Sequence, residues 1–185
     1  MILAAKIEKM TGDDFLVWDE QQPDKNEFIG GEVFAMVGVT RQHATVAGNL
    51  FVFLSQQLRG SPCRVYMAEM RLRLEVADSF FYPDVFVTCS ESDHQTDRYM
   101  SQPRLIVEVL SESTEAYDRG AKFEKCRLFS TLAEYVLINP AKRKVESFRR
   151  DATGHWVLYE FGEDDVVDIA SLELTLSASV LYENV

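Results

Sequence analysis

One acidic residue set inside an apolar run constrains this chain more than any other feature. Glu108 is flanked by Leu105, Ile106, Val107, Val109 and Leu110, a short run of the kind that forms a strand covered on both faces. A carboxylate buried there without a partner costs several kcal/mol, so Glu108 needs a cation, a proton or a hydrogen-bonding partner. Directly after the run, Ser111 to Thr114 supply a turn and a helix cap. Asp118 and Lys122 then fall four residues apart, on one helical face. Strand, carboxylate, turn and lysine-bearing helix follow one another without interruption.

The 185 residues, 46% of them apolar, suffice for one sizeable core, and a single domain over 1–185 is expected. Cys63, Cys89 and Cys126 are odd in number with no close spacing, and the N-terminus carries no charged, apolar, small-residue signal pattern. A reduced, cytoplasmic protein is the expectation. No apolar run approaches the roughly 20 residues of a membrane helix, so no membrane partner is expected.

The net charge of −11 repels phosphate at long range and weighs against a general nucleic-acid binder. It is compatible with carboxylates that hold a divalent metal, provided that basic residues gather on one edge. Arg59, Arg64, Arg71, Arg73, Lys142 to Lys144, Arg149 and Arg150 are candidates for that edge. They read equally as solvated strand and turn residues.

Along the chain, Thr11 to Asp14 forms a capping-box pattern before Phe15 to Trp18 and predicts a short helix. Glu27 to Val37 reads as extended, with Gly30 and Gly31 at a turn. From Arg41 to Leu58 the apolar positions Val46, Leu50, Phe53, Leu54 and Leu58 recur at helical spacing, and Gly60 to Pro62 ends the segment. Arg64 to Glu75 alternates like a half-buried strand, and Phe80 to Thr88 reads as a second strand carrying Asp84. The polar stretch Ser90 to Gln102 is expected to be a long loop of the kind that serves as a functional flap. Glu134 to Asn139 reads as a central strand. Lys144 to Arg150 and His155 to Phe161 form a hairpin around Asp151 to Gly154. The acidic run Glu163 to Asp168 reads as a loop, and Leu172 to Tyr182 as a segment docking on the core. The order of elements is a mixed α/β or α+β layout.

Asp84 and Glu108 both stand among large apolar neighbours. On adjacent strands they would grip one hard cation such as Mg²⁺, together with water and a substrate phosphate. Lys122 would then hold the attacking water, help deprotonate it, or stabilise charge developing on phosphorus. The structural reading of the same residues has Asp84 capping a turn at Pro83 and Glu108 paired with an arginine such as Arg127. His43, His94 and His155 are scattered and make no zinc-like set with the cysteines. Cys126 reads as a small helix side chain, and Tyr135 and Trp156 as core aromatics.

Gly31 and Glu32, Tyr82 to Val85, Pro103 to Ser111, Ser113 and Thr114, Tyr117 to Gly120, Lys122, and Glu134 to Leu137 together resemble the Uma restriction endonuclease family, within the PD-(D/E)XK nuclease superfamily. The resemblance spans nearly the whole chain. It implies a restriction endonuclease-like fold, a central mixed β-sheet flanked by helices. It also implies a divalent cation, Mg²⁺ or Mn²⁺, at the acid pair, with nucleic acid, expected to be DNA, as substrate. By position Asp84 matches the acid of the Pro-Asp motif, Glu108 the second acid, Lys122 a lysine relocated to the following helix, and Glu32 the N-terminal acid. Leu110 stands where the superfamily's usual lysine would fall. A homodimer, reaching two strands, is expected. The contrasting reading is a catalytically silent protein of the same fold that serves as a binding or scaffold module.

Overall fold

The apolar run around Glu108 does form a strand, Pro103–Val109, and that strand lies inside a six-stranded sheet. The computed structural model describes residues 4–6, 10–36 and 38–185. In chain order its elements are β1 (Ala4–Lys6), α1 (Gly12–Asp19), β2 (Asn26–Ile29), β3 (Glu32–Ala35), α2 (Arg41–Gln57), β4 (Arg64–Met67), β5 (Leu72–Leu74), β6 (Ser79–Phe81), β7 (Val85–Thr88), β8 (Pro103–Val109) and α3 (Glu115–Tyr117). A π-helical turn, Asp118–Lys122, joins α3 directly to α4 (Phe123–Cys126). There follow β9 (Glu134–Asn139), β10 (Lys144–Arg150), β11 (Trp156–Phe161), β12 (Val166–Ile169), β13 (Leu174–Ser177) and α5 (Ala178–Leu181).

The six-stranded sheet has the order β11-β10-β9-β8-β7-β4, a second sheet the order β1-β3-β2-β6-β5, and β12 pairs with β13. Within the large sheet β8 runs parallel to β9 and antiparallel to β7, so the sheet is mixed. The parallel step is made by the helical crossover through α3 and α4, the connection that parallel neighbours require. Both faces of the large sheet are covered, as the apolar run demands. Val85, Val87, Leu105, Val107 and Val136 point to the side of Val46, Leu50 and Leu54 on α2. Phe86, Ile106, Tyr135 and Leu137 point to the side of Phe123 and Cys126 on α4. Strand alternation therefore turns Glu108, in step with Ile106 and Leu110, toward the α4 side.

Thr11 caps α1 with a reciprocal capping box to Asp14, and Thr40 caps α2, whose helical period is as expected. The hairpin of β10 and β11 keeps a regular register from Val145–Phe161 to Arg150–Trp156. Leu176, Ala178, Leu181 and Tyr182 dock on the α2 side of the core, as expected of the last segment.

Four expectations are corrected. Arg64 to Glu75 is two strands: the chain turns after Met67, where Met70 N–H donates to its carbonyl at 3.0 Å, and β5 joins the other sheet. Phe80 to Thr88 likewise divides into β6 and β7, which lie in different sheets. Pro83, with no N–H to give a ladder, occupies the crossing between them. The loop Ser90 to Gln102 is not a flap. The buried Asp93 accepts from Thr88 Oγ1 at 2.7 Å, Ser101 N at 2.9 Å and Gln102 N at 3.0 Å, and ties the loop to the end of β7. Part of the acidic run, Val166 to Asp168, belongs to β12. Of the expected extended segment Glu27 to Val37, Val37 lies outside the described residues.

The cysteines also differ from the reduced-thiol expectation. Arg64 pairs with Thr88 across the antiparallel β4–β7 ladder, which brings the flanking Cys63 and Cys89 opposite each other in a disulfide. Cys126 is free and buried, and burial pushes its thiol well above the usual range, so it is the small helix side chain expected. Among the described residues no helix is long and apolar enough to cross a membrane.

Candidate active site

The C-terminal ends of β8 and β9, the crossing from β6 to β7, the start of α2 and the π-helical turn enclose a cavity of about 700 Å³. Asp84, Glu108 and Lys122 all line it. Asp84 stands just before β7, and its Oδ2 accepts from Val109 N of β8 at 2.7 Å. Its own N–H points at Glu108 Oε2, 3.4 Å away. The two acids thus meet across neighbouring strands, as the sequence pattern anticipated.

Lys122 is brought over Glu108 by the π-helical turn. Widening one turn shifts the face that follows it, and such turns recur at functional sites. The buried ammonium lies 2.8 Å from Glu108 Oε1 and 2.8 Å from Glu27 Oε1. Arg127 does not pair with Glu108; its guanidinium lies over the Phe123 ring. The Glu108 contact is electrostatic in character, because Oε1 receives no aligned hydrogen bond and is sealed from solvent.

Glu27 is the acid that the sequence reading missed. Its Oε1 also accepts from Tyr82 N at 3.0 Å, and its Oε2 from the Tyr117 hydroxyl at 2.7 Å. Glu32, the expected N-terminal acid, is exposed and does not line the cavity. The Gly30–Gly31 hairpin, with both residues at positive φ, sets Glu32 at the solvent end of β3 opposite Ile29, whereas Glu27 lies farther along the ladder opposite Phe34. A signal was available: Glu27 directly precedes Phe28 and Ile29, so it lies in a strand whose next side chain enters the core.

His43, which looked isolated in sequence, is buried at the start of α2 with Nε2 2.9 Å from Asp84 Oδ1. Its Nδ1 is buried without a partner, and a proton on Nε2 would donate to Asp84. Asp84 is then held by a donor on each oxygen.

Three carboxylates, those of Glu27, Glu108 and Asp118, share the ammonium of Lys122, and a fourth, Asp84, acts on Glu108. Burial pushes Glu108 well above the usual carboxylate range, the charges of Asp118, Asp84 and Glu27 add to the rise, and Lys122 opposes it. Burial raises Asp118 to about 6, again against the pull of Lys122. Burial by itself would lower Lys122, but Glu108, Glu27 and Asp118 outweigh it and hold the ammonium charged. The cluster is therefore short of positive charge. Buried carboxylate oxygens that outnumber the one ammonium among them fit a hard divalent cation, which takes one or two carboxylates and completes its shell with water and phosphate. Among the described residues no group of three or more acidic, histidine or cysteine side chains forms a ready-made metal cage, so the fit rests on Asp84 and Glu108.

Comparison with known proteins identifies the lineage. The profile described as "Uma2: Putative restriction endonuclease" matches residues 13–180. The chain belongs to the Uma2 family. Two relatives from Synechocystis sp., the uncharacterized proteins slr1290 and sll1609, are 28% identical over 179 residues and 30% identical over 177. These alignments cover 97% of this chain and 94% of the first relative, and 94% and 100% for the second. A crystal structure of a putative nuclease belonging to DUF820 from Anabaena variabilis superposes with a TM-score of 0.76 at 18% identity, over 94% of this chain and 97% of that one. The Uma2 fold is thus the restriction endonuclease-like fold that the sequence implied.

The acid cluster makes stability depend on pH in an uncommon direction. Unfolded, Asp118 releases its proton near 3.8; folded, it keeps it to about 6. The folded state binds more protons within that window, so stability is greatest below it and falls as pH rises through it. Glu108 acts with the same sign. The apo protein is expected to be more stable at pH 5 than at pH 7 by about 1–3 kcal/mol, read from urea midpoints in chelator. A midpoint that rises from pH 5 to 7 would contradict the cluster.

Proposed function

We propose that this Uma2 protein is a metal-dependent nuclease, with Asp84 and Glu108 as the acids that hold Mg²⁺ or Mn²⁺ and Lys122 as the cationic side chain at the reacting phosphate. The observation that carries the reading is the excess of buried carboxylate over ammonium at the floor of an open cavity. A purely structural ion pair needs one acid per lysine, and here Lys122 faces three, Glu108, Glu27 and Asp118, with Asp84 beside Glu108. When bound, the ion would supply the missing charge and polarise the phosphodiester.

The chain's own residues do the rest. Lys122 is held charged, so it acts as a donor and not as a base. Its ammonium lies 2.8 Å from both Glu27 Oε1 and Glu108 Oε1 and also lines the cavity, where it can donate to a water or a phosphate oxygen. Glu27 fixes the ammonium and is itself fixed by Tyr82 N and Tyr117. His43 and the Val109 amide orient Asp84. The family description and the fold of the Anabaena protein support nucleic acid, with DNA first, as the substrate. The proposal includes a homodimer, for which light scattering would give twice the 21.1 kDa of one chain; a single-chain mass at high concentration removes that part.

The test is metal response together with cleavage. Mn²⁺ and Mg²⁺ should raise the melting temperature by mass action and support hydrolysis of DNA or RNA. A protein indifferent to both ions would be the silent, scaffold-type relative. Glu27→Gln is expected to lower metal-dependent turnover by roughly 10–100-fold, the usual effect of removing a residue that orients the first ligands. Glu32→Gln should leave it unchanged. Equal losses from the two variants would refute the assignment of Glu27.

A further inference from the structure

The nuclease reading leaves open how an acidic protein meets a polyanion. Much of the expected basic edge is paired with acids, and the exposed Arg59, Arg64 and Arg150, which have no ion pair among the described residues, do not line the cavity. Arg71 pairs with Asp19, Arg73 with Asp13, Arg149 with Glu134 and Asp168, and Lys144 with Glu146 and Glu160. Arg150 donates to the carbonyl of Ser130. In the cavity only Lys122 and Lys142 are cationic, and Glu112 and Glu115 add negative charge to the four acids already present. Lys142 has no ion pair among the described residues. A protein that tracks a duplex neutralises many phosphates, and this site has side chains for about two.

Part of the cavity lining is apolar. Phe34, Met36, Val39, Leu110 and Pro140 form that part, and Val39 is exposed to solvent. Phe34 stacks on Tyr117, with ring centroids 6.0 Å apart and planes 26° from parallel. Tyr117 is in turn tied to Glu27 through its hydroxyl, so the aromatic wall and the acid cluster are one rigid unit. The volume of about 700 Å³ is that of a pocket for a small ligand and offers no groove for a double helix. Unpaired bases stack on aromatic side chains without regard to sequence, and each such contact does the work that phosphate pairing does on a duplex.

Resting on the nuclease reading, we infer that the cavity takes single-stranded nucleic acid, with one unstacked base against the Phe34 wall and the adjoining phosphate over Asp84, Glu108 and Lys122. A continuous duplex is excluded by charge and by shape. A base inside a duplex reaches the wall only after it has been unpaired, which lowers its affinity by the cost of unstacking.

Fluorescence anisotropy tests the inference, using a labelled ten-nucleotide single-stranded DNA, the RNA of the same sequence and the DNA duplex, each with Ca²⁺ in place of Mg²⁺. At least one single strand is expected to bind roughly tenfold or more tightly than the duplex, and which one does so identifies the sugar. The slope of log K against log salt should be shallow, about −1 to −1.5 for two lysines, and Lys142→Ala should flatten it by about 0.7. Phe34→Ala should weaken the single strand about tenfold, with Phe34→Trp restoring it and the Mn²⁺-induced rise in melting temperature unaltered in both. Duplex binding equal to or tighter than both single strands, or a slope steeper than about −4, overturns the inference and leaves the nuclease reading standing. Indifference to Phe34→Ala does the same. Loss of any metal response in the wild-type protein overturns both.

Discussion

Glu108→Gln should abolish metal-dependent hydrolysis, by about 10²–10³-fold, and yet leave the apo protein within about 1 kcal/mol of its original stability. The amide keeps the shape of the carboxylate and removes one of the three acids crowded around Lys122. Its loss does not strand the ammonium, because Glu27 Oε1 remains 2.8 Å away and Asp118 stays in the same cluster. What disappears is the anionic oxygen donor that Glu108 would offer to a cation beside Asp84. Calorimetric titration with Mn²⁺ and urea denaturation in chelator measure the two halves separately. A variant that loses several kcal/mol of stability but still binds Mn²⁺ with wild-type affinity would make Glu108 a structural partner of Lys122, and the nuclease reading would fail.

Lys122→Met should have the opposite signature. The methionine fills much of the same space but leaves Glu27, Glu108 and Asp118 buried with no cation among them. Breaking a buried pair from one side costs about 3–5 kcal/mol, and that is the loss expected at pH 7 in chelator. The deficit should shrink toward pH 5, where Asp118, raised to about 6, takes up its proton. Mn²⁺ should recover part of it at pH 7, since a divalent ion supplies the charge that the lysine withdrew. Turnover should not return with the metal, because no donor remains for the phosphate. A loss below about 1 kcal/mol, or one independent of pH, would show that Glu27, Glu108 and Asp118 do not depend on Lys122 for their burial.

Together the two variants separate what each group does. Glu108 is expected to matter for the ion and little for the fold, and Lys122 for both. Their difference arises from number: the site holds more acids than it needs for structure and only one ammonium.

Much of this was legible in the sequence because its causes are local. The α2 period, the Thr11 capping box and the β10–β11 hairpin each depend on residues within a few positions of one another. Glu108 was conspicuous because a charged residue stood in an apolar run, and Asp84 because Pro83 marked the start of a strand. The helix after Thr114 brought Asp118 and Lys122 to one face by spacing alone. The family resemblance implied roles for Asp84, Glu108 and Lys122, and it pointed to Glu32 as the N-terminal acid, whereas Glu27 on the neighbouring strand is the one that lines the cavity.

The tertiary structure decided the rest, because the remaining features depend on which distant strands become neighbours. Alternation continues smoothly from Arg64 to Glu75, so no local signal marks the turn after Met67 or the change of sheet between β4 and β5. Glu27 and Lys122 are far apart in the chain and meet only where β2 and the π-helical turn close on the end of β8. His43 reaches Asp84 across a separation of 41 residues, and Cys63 meets Cys89 because β4 and β7 pair in antiparallel register. The sequence by itself determined which side chains would be costly to bury. Only the packed structure decided which of them bear that cost together, since desolvation and charge repulsion depend on distances that no local pattern encodes.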